Sequence, residues 1–213
     1  MNHKTVFISA SILISVIFIA AVAFYKSQAS TVLADEFLPA LERSGAPIKG
    51  NMLAKVTIVE FFDPACETCR QFYPLINNLL KKYKDKVKVE MRYAPFHQGS
   101  EDVVKMLEAS HMQGKFWQAT ALLFATQQRW VSHHIANPQS ALAAIKTLAI
   151  DHEQLDRDWQ SSQVAKIVAQ DIKDGQLLKV RATPQFFVNG KPLLIFGYDE
   201  LTRLVDEAVV QAY

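Results

Sequence analysis

Apolar and polar positions along the chain fall into blocks with different periods. From Val6 to Tyr25 the run VFISASILISVIFIAAVAFY carries no charge, with Lys4 before it and Lys26 after it. About 20 apolar residues suffice to span a bilayer as a helix. Thr31 to Arg43 places Val32, Leu33, Phe37, Leu38 and Leu41 near helical spacing. It predicts a helix or extended arm packed on the following domain, or an amphipathic oligomerisation helix. Ser44-Gly45-Ala46-Pro47 punctuates the chain, and Lys49-Gly50-Asn51 reads as a further turn.

Val56 to Phe62 is rich in β-branched and aromatic residues and predicts a buried strand ended by Asp63-Pro64. A helix follows from Cys66 to Tyr83, with Phe72, Leu75, Ile76, Leu79 and Leu80 on one face and Pro74 set to kink it. Val87 to Tyr93 alternates like a second strand, so strand, helix and strand predict a parallel pair with a right-handed crossover. From Ser100 to Lys179 the periodicity is helical, with breaks expected at Gly114, Asn137-Pro138 and Gly175. Thr183-Pro184 opens a strand at Gln185–Val188, Asn189-Gly190 reads as a hairpin turn, and Leu193 to Phe196 is expected to return. A last amphipathic helix is predicted from Asp199 to Val209.

Composition adds a setting. About 180 of the 213 residues follow the apolar N-terminus, enough for one sizeable domain with its own core. A net charge of +2, spread along the chain, gives no electrostatic footprint for nucleic acid. The segment Val6–Tyr25 admits two readings. A cleaved signal peptide could be cut after Ser27-Gln28-Ala29 or Val32-Leu33-Ala34. An uncleaved anchor is favoured because the run exceeds the roughly 7–15 residues of a signal core. Either places the main domain in the periplasm or otherwise outside the cytoplasm, where disulfides persist. The expected organisation is an anchor or signal peptide at 1–29, an arm at 30–48 and a domain at 49–213.

Two cysteines, Cys66 and Cys69, are the chain's full complement, three positions apart at a strand-to-helix turn. Such a pair can close a small disulfide and is better suited to chemistry than to scaffolding. Cys66 begins a helix, where free backbone N–H groups and the positive dipole end favour a thiolate, the nucleophile of disulfide exchange. Cys66 is expected to form the mixed disulfide and Cys69, about one turn on and facing inward, to resolve it. Half of a zinc site is the alternative. It needs two more ligands from histidines scattered at 3, 97, 111, 133, 134 and 152, of which His133-His134 is a plausible pair. No metal or cofactor is expected.

The strand before the dithiol, the Pro-containing helix, Thr183-Pro184 before a hairpin and the terminal helix together resemble the thioredoxin fold. The inserted helical stretch, about 97–180, is similar to that of the DsbA-like thiol–disulfide oxidoreductases, as are Glu60-Phe61-Phe62-Asp63, Gly114-Lys115-Phe116-Trp117 and Leu122-Leu123-Phe124. The resemblance covers Lys49 to Val210. It implies an α/β thioredoxin-like fold with an inserted helical subdomain, preceded by the N-terminal transmembrane or signal helix.

The resemblance also implies roles. Glu60 lies where the family has a buried acid, which implies proton transfer beside Cys69; the alternative is an acid reaching water or pairing with Lys88. Pro184 is expected to be cis and to lie against the dithiol, with Thr183 binding substrate backbone. Glu67-Thr68 departs from the histidine of strongly oxidising members. Glu67 would raise the Cys66 pKa relative to theirs and lower the reduction potential, unless its side chain is simply solvated. Asp63 is expected to cap the helix through its side chain. Phe116, Trp117, Phe124, Trp130, Trp159, Met106 and Met112 are expected in the helical core, and Phe96 and His97 in a loop near the site.

The function expected is disulfide exchange with cysteines of exported proteins, alongside a membrane redox partner and with the membrane contacted through the N-terminal helix. Oxidase, isomerase and reductase directions share these residues. A dedicated reductant of one maturation substrate, such as an apocytochrome, would use the same dithiol. A non-catalytic thioredoxin-fold binding module or a copper or zinc chaperone is the alternative from another class.

Overall fold

The computed structural model describes residues 13–22 and 37–213. Residues 13–22 are helical and exposed, while the rest of the Val6–Tyr25 segment and the start of the arm lie outside the described residues. Among the described residues no helix is long and apolar enough to cross a membrane.

A five-stranded sheet organises the domain in the order β1 (Ile48–Gly50), β3 (Val87–Tyr93), β2 (Val56–Phe62), β6 (Gln185–Val188) and β7 (Lys191–Pro192). Its central strand β2 (Val56–Phe62) is buried at every position, as expected of a mostly apolar run that does not alternate. Strand β3 (Val87–Tyr93) pairs with it in parallel, Val56 opposite Val87 and Phe62 opposite Tyr93. Strand β6 (Gln185–Val188) pairs with it antiparallel, Glu60 opposite Phe186.

Alternation along β2 sends side chains to two differently covered faces. Val56, Ile58 and Phe62 join the larger core with Cys69, Phe72, Ile76 and Leu79 of helix α2 (Glu67–Tyr83) and Leu201 and Val205 of the C-terminal helix α8 (Tyr198–Ala212). Val59 and Phe61 point the other way, against Ala40 and Leu41 of the short helix α1 (Leu38–Leu41) and Leu178 and Val180. The same alternation in β3 sends Arg92 to the α1 face. There its guanidinium, fully buried, donates to Asp171 at 2.9 Å, Asp174 at 2.6 Å and the carbonyls of Ala40 and Leu41. Asp171 also accepts from Arg43 at 2.6 Å and from the Tyr93 N–H at 3.0 Å. The described end of the arm is thus packed on the domain, as one of its two readings expected.

Five helices fill the insertion: α3 (Ser100–Met112), α4 (Phe116–Ala125), α5 (Pro138–Ile145), α6 (His152–Asp158) and α7 (Ser162–Leu177). Between α4 and α5 a 3₁₀ turn at Gln127–Arg129 leads into a hairpin of β4 (Val131–Ser132) and β5 (Ile135–Ala136), which helical periodicity had hidden. His133 and His134 form its tip with φ of 51° and 63°. Phe116, Phe124 and Trp130 are buried in the core and Trp117 and Trp159 are partly buried against it.

Four expectations are corrected. Lys49-Gly50 belongs to an edge strand, β1 (Ile48–Gly50), antiparallel to β3. Its Gly50 has φ 110°, and a Cβ there would lie 2.7 Å from the Val87 carbonyl oxygen, so the glycine permits close pairing as well as turning. Gly175 does not break its helix, which continues to Leu177; a Cβ there would meet the Phe61 ring at an ordinary contact distance of 3.5 Å. The strand returning from the Asn189-Gly190 turn is Lys191–Pro192, β7, and not Leu193–Phe196. Pro192 lacks an N–H, which this edge strand tolerates, since the bond to β6 resumes at Leu193. After Leu193 donates to Phe186 at 2.9 Å the chain leaves the sheet, with Leu194, Ile195 and Phe196 exposed. Met112, at the end of α3, is 42% exposed, whereas Met106 is core.

Candidate active site

Strand β2 delivers the chain to Asp63 at the C-terminal edge of the sheet, and the turn Asp63-Pro64-Ala65 reverses it into α2. The Asp63 carboxylate is fully buried and does not cap that helix. One oxygen accepts the Ala65 N–H at 2.8 Å and the Ser100 hydroxyl. The other accepts the Phe96 N–H at 2.8 Å, the His97 N–H at 2.9 Å and His97 Nδ1 at 2.8 Å. Asp63 therefore ties the turn before the dithiol to the loop after β3, because a carboxylate there meets more donors across the fold than along the helix. Its backbone carbonyl takes the Cys66 N–H at 3.0 Å.

Cys66 is the N-cap of α2, in extended conformation with φ −74° and ψ 122°. Its thiol donates to the Thr183 carbonyl oxygen at 3.3 Å, and the Thr183-Pro184 peptide bond is cis. Both thiols are free, Cys66 at 7% exposure and Cys69 at 0%. A hydrogen bond from Cys69 is the largest influence on Cys66. Burial opposes it, and hydrogen bonds from the Thr183 side chain and the backbone N–H groups of Cys69 and Thr68 reinforce it. The net effect pulls the Cys66 thiol down from 9.0 to about 5. Cys69 moves the opposite way, well above 9.0, pushed by burial and then by Cys66 and the Glu60 charge. The two sulfurs are divided into a thiolate near the surface and a protonated thiol inside.

Alternation along β2 places Glu60 on the same face as Ile58 and Phe62, toward the dithiol. It is buried, and its Oε2 has no hydrogen-bond partner. Burial first, and the Cys66 charge second, raise its carboxyl to about 8. Lys88 does not pair with it; that lysine donates to the Met52 carbonyl. Glu67 is exposed and Thr68 half-buried, and neither side chain is among the main influences on Cys66, of which the Cys69 hydrogen bond is the largest.

Sequence reasoning missed two features around this centre. Gln127, 2% exposed, reaches from the insertion to the dithiol turn. Its Nε2 donates to the Pro64 carbonyl at 2.9 Å and the Cys66 carbonyl at 3.0 Å, and its Oε1 accepts from Arg70 Nε at 2.9 Å. Phe72, one turn after Cys69, stacks on Tyr198 at 4.3 Å and meets Phe196 at 4.8 Å between ring centroids. The exposed Leu194-Ile195-Phe196 loop is thereby fixed beside the dithiol helix. An apolar stretch at a sheet edge has two readings, strand or surface loop, and periodicity could not choose between them. His97 and His134 rings stack at 5.8 Å, and among the described residues no three His, Cys, Asp or Glu side chains converge on a metal position.

Residues 42–207 match the family model described as thioredoxin. A thioredoxin-like oxidoreductase from Silicibacter pomeroyi DSS-3 superposes with TM-score 0.69 at 29% identity, covering 80% of this chain and 96% of that one. Oxidised BdbD from Bacillus subtilis gives TM-score 0.68 at 26% identity, covering 85% and 97%. Among curated proteins, the Na(+)/H(+) antiporter NhaA 1 of Mycolicibacterium gilvum is 31% identical over 151 residues, 68% of this chain. Only 23% of that antiporter is matched, so the chain spans less than a quarter of such relatives. The match over most of the chain and the likeness of fold agree: the chain belongs to the thioredoxin family and stands with its DsbA-like thiol–disulfide oxidoreductases.

Proposed function

We propose that the protein exchanges disulfides with cysteine-containing proteins outside the cytoplasm, with Cys66 as nucleophile, Cys69 as resolving thiol and Glu60 as the proton store between turnovers. Thiol–disulfide exchange is the chemistry of the family. The observation that carries the residue roles is the division of the dithiol, Cys66 held near 5 at a helix start and Cys69 buried and protonated.

In the oxidising direction a substrate thiolate attacks the Cys66 sulfur of the Cys66–Cys69 disulfide. The S–S bond breaks, Cys69 leaves as a thiolate, and a proton reaches it from the carboxyl of Glu60. A second substrate thiolate then attacks the substrate sulfur of the mixed disulfide, forming the substrate disulfide and releasing Cys66 as a thiolate. Two electrons pass from the substrate dithiol to the enzyme. The reducing direction is the same path reversed, starting from the Cys66 thiolate. Leaving-group stability favours release of the low-pKa sulfur, Cys66.

Ionisation of Cys66 removes the thiol hydrogen that Thr183 O accepts, which frees that carbonyl for a backbone N–H of an extended substrate. Leu194, Ile195 and Phe196, exposed beside the dithiol helix, offer apolar contact of low sequence selectivity. The extracytoplasmic setting rests on the family and on the apolar Val6–Tyr25 segment, which as an anchor would hold the domain at the membrane near a redox partner. Cys69→Ala should accumulate mixed disulfides through Cys66, separable on non-reducing gels and identifiable by mass spectrometry. Failure to trap any cysteine-containing exported protein in cells, with Cys66 still reactive, would remove this reading.

A further inference from the structure

The inserted subdomain reaches the backbone carbonyls of the dithiol turn through a buried side chain, Gln127. Gln127 lies in the 3₁₀ turn after α4, 61 residues from Cys66, and the atoms it contacts fix its orientation. Arg70 Nε is a donor, so the amide oxygen must face it. The amide nitrogen then faces two acceptors, the carbonyls of Pro64 and Cys66, one for each hydrogen. These two carbonyls bracket the turn that presents the Cys66 sulfur.

We infer that Gln127 is a positioning residue for the dithiol: a staple, oriented by Arg70, that holds the Pro64–Cys66 turn so that the Cys66 sulfur meets the N–H groups at the start of α2. This rests on Cys66 being the exchanging sulfur. The Cys66 carbonyl accepts the Arg70 N–H at 3.2 Å, the first bond of the helix, and Gln127 adds a second donor to the same oxygen. The Cys66 N–H is held separately by the Asp63 carbonyl. Both backbone ends of the residue are thus pinned, which fixes where its Cα–Cβ bond starts relative to Thr183 and the N–H groups of Thr68 and Cys69. Hydrogen bonds from those groups favour the charged sulfur, and their strength falls steeply with misalignment.

Gln127 also carries information from elsewhere in the fold. Its turn continues into the β4–β5 hairpin, where the Ala136 N–H bonds the Gln98 carbonyl at 2.9 Å, and Gln98 adjoins His97 on Asp63. The insertion and the Asp63 loop therefore close on the dithiol turn from two sides. Displacement of the insertion would be read at Cys66 through this amide.

The test uses the reduced full chain in detergent micelles and reads the Cys66 thiolate directly, by absorbance near 240 nm and by alkylation rate against pH. A Cys66→Ser variant identifies the signal. Gln127→Leu keeps the volume and removes both donors. Its thiolate titration is expected to move up by about one pH unit, so that about tenfold less thiolate is present well below the midpoint. Arg70→Met, which leaves Gln127 in place but unoriented, should move it the same way by less. Circular dichroism establishes which variants fold, and if Gln127→Leu does not, Arg70→Met decides. A folded variant with the parent's titration curve overturns the inference. Because the readout needs no substrate, it is separate from the trapping experiment: an inert protein whose Cys66 still shifts would refute the exchange function while retaining the staple.

Discussion

The thiol of Cys66 donates to the backbone oxygen of Thr183 at 3.3 Å, across 117 residues of sequence. The helix start alone provides N–H groups for the sulfur. The loop from the other half of the domain adds an acceptor that holds the thiol only while it is protonated, and a side chain that favours its ionised form.

Alkylation of Cys66 in the reduced protein should accelerate through about pH 5 and level off by neutrality, since its thiol is pulled down to about 5. Cys69→Ala removes the largest stabilising hydrogen bond, so the midpoint should rise, by about one pH unit on the scale of such bonds. A depressed thiol makes the unfolded chain bind more protons between about 5 and 9.0, so this group's stabilisation of the reduced fold grows over that window and vanishes as pH falls through 5. A midpoint near 9 in the parent would refute the division of roles.

Much of this was legible in the sequence. Val56–Phe62 is apolar without alternation because both faces of β2 are covered, and an acid within such a run, Glu60, stands out as needing a reason. Cys66, Cys69, Thr183 and Pro184 carry residue types and an order that few folds share. Gln127 carried no such signal: one glutamine among helical residues looks like any solvated side chain until the fold sets it against Pro64 and Cys66. Asp63 was misread for a related reason. Its type suits a helix cap, yet beyond the Ala65 N–H its donors come from Phe96, His97 and Ser100, a distance in sequence that local rules do not reach. Leu193–Phe196 had the composition of a strand, yet after Leu193 the chain turns away from the sheet and Phe196 packs on Phe72 instead.

Arg92→Met should destabilise the domain by about 3–5 kcal/mol, because the substitution strands buried carboxylates whose partner it removes. Asp171 would keep Arg43, but Asp174 would lose its 2.6 Å partner, and the Ala40 and Leu41 carbonyls would lose their donor. In a domain of this size that is a fall in Tm of about 10 °C. The cluster lies on the sheet face opposite the dithiol, so the pH profile of Cys66 alkylation should be unchanged below the melting transition. Thermal melting followed by circular dichroism checks the first expectation. A Tm within 2 °C of the parent, a margin of about 1 kcal/mol, would mean that Arg92 balances no buried charge.

Glu60 gives the opposite pH dependence to Cys66. Its folded carboxyl is raised from 4.5 to about 8, so between those values the native state holds a proton that the unfolded chain has lost. Stability from this group is therefore full below 4.5 and declines as pH rises toward 8, with a limiting slope of about 1.4 kcal/mol per pH unit. Glu60→Gln cannot ionise, so subtracting its unfolding free energy from the parent's isolates the effect from that of the cysteines. The parent should fall steadily relative to Glu60→Gln across that range and run parallel to it above pH 8, as urea melts at a series of pH values would reveal. A flat difference would mean that Glu60 keeps an ordinary carboxylate pKa. The carboxyl beside Cys69 would then already be ionised at neutral pH, with no proton to give to the departing Cys69 thiolate.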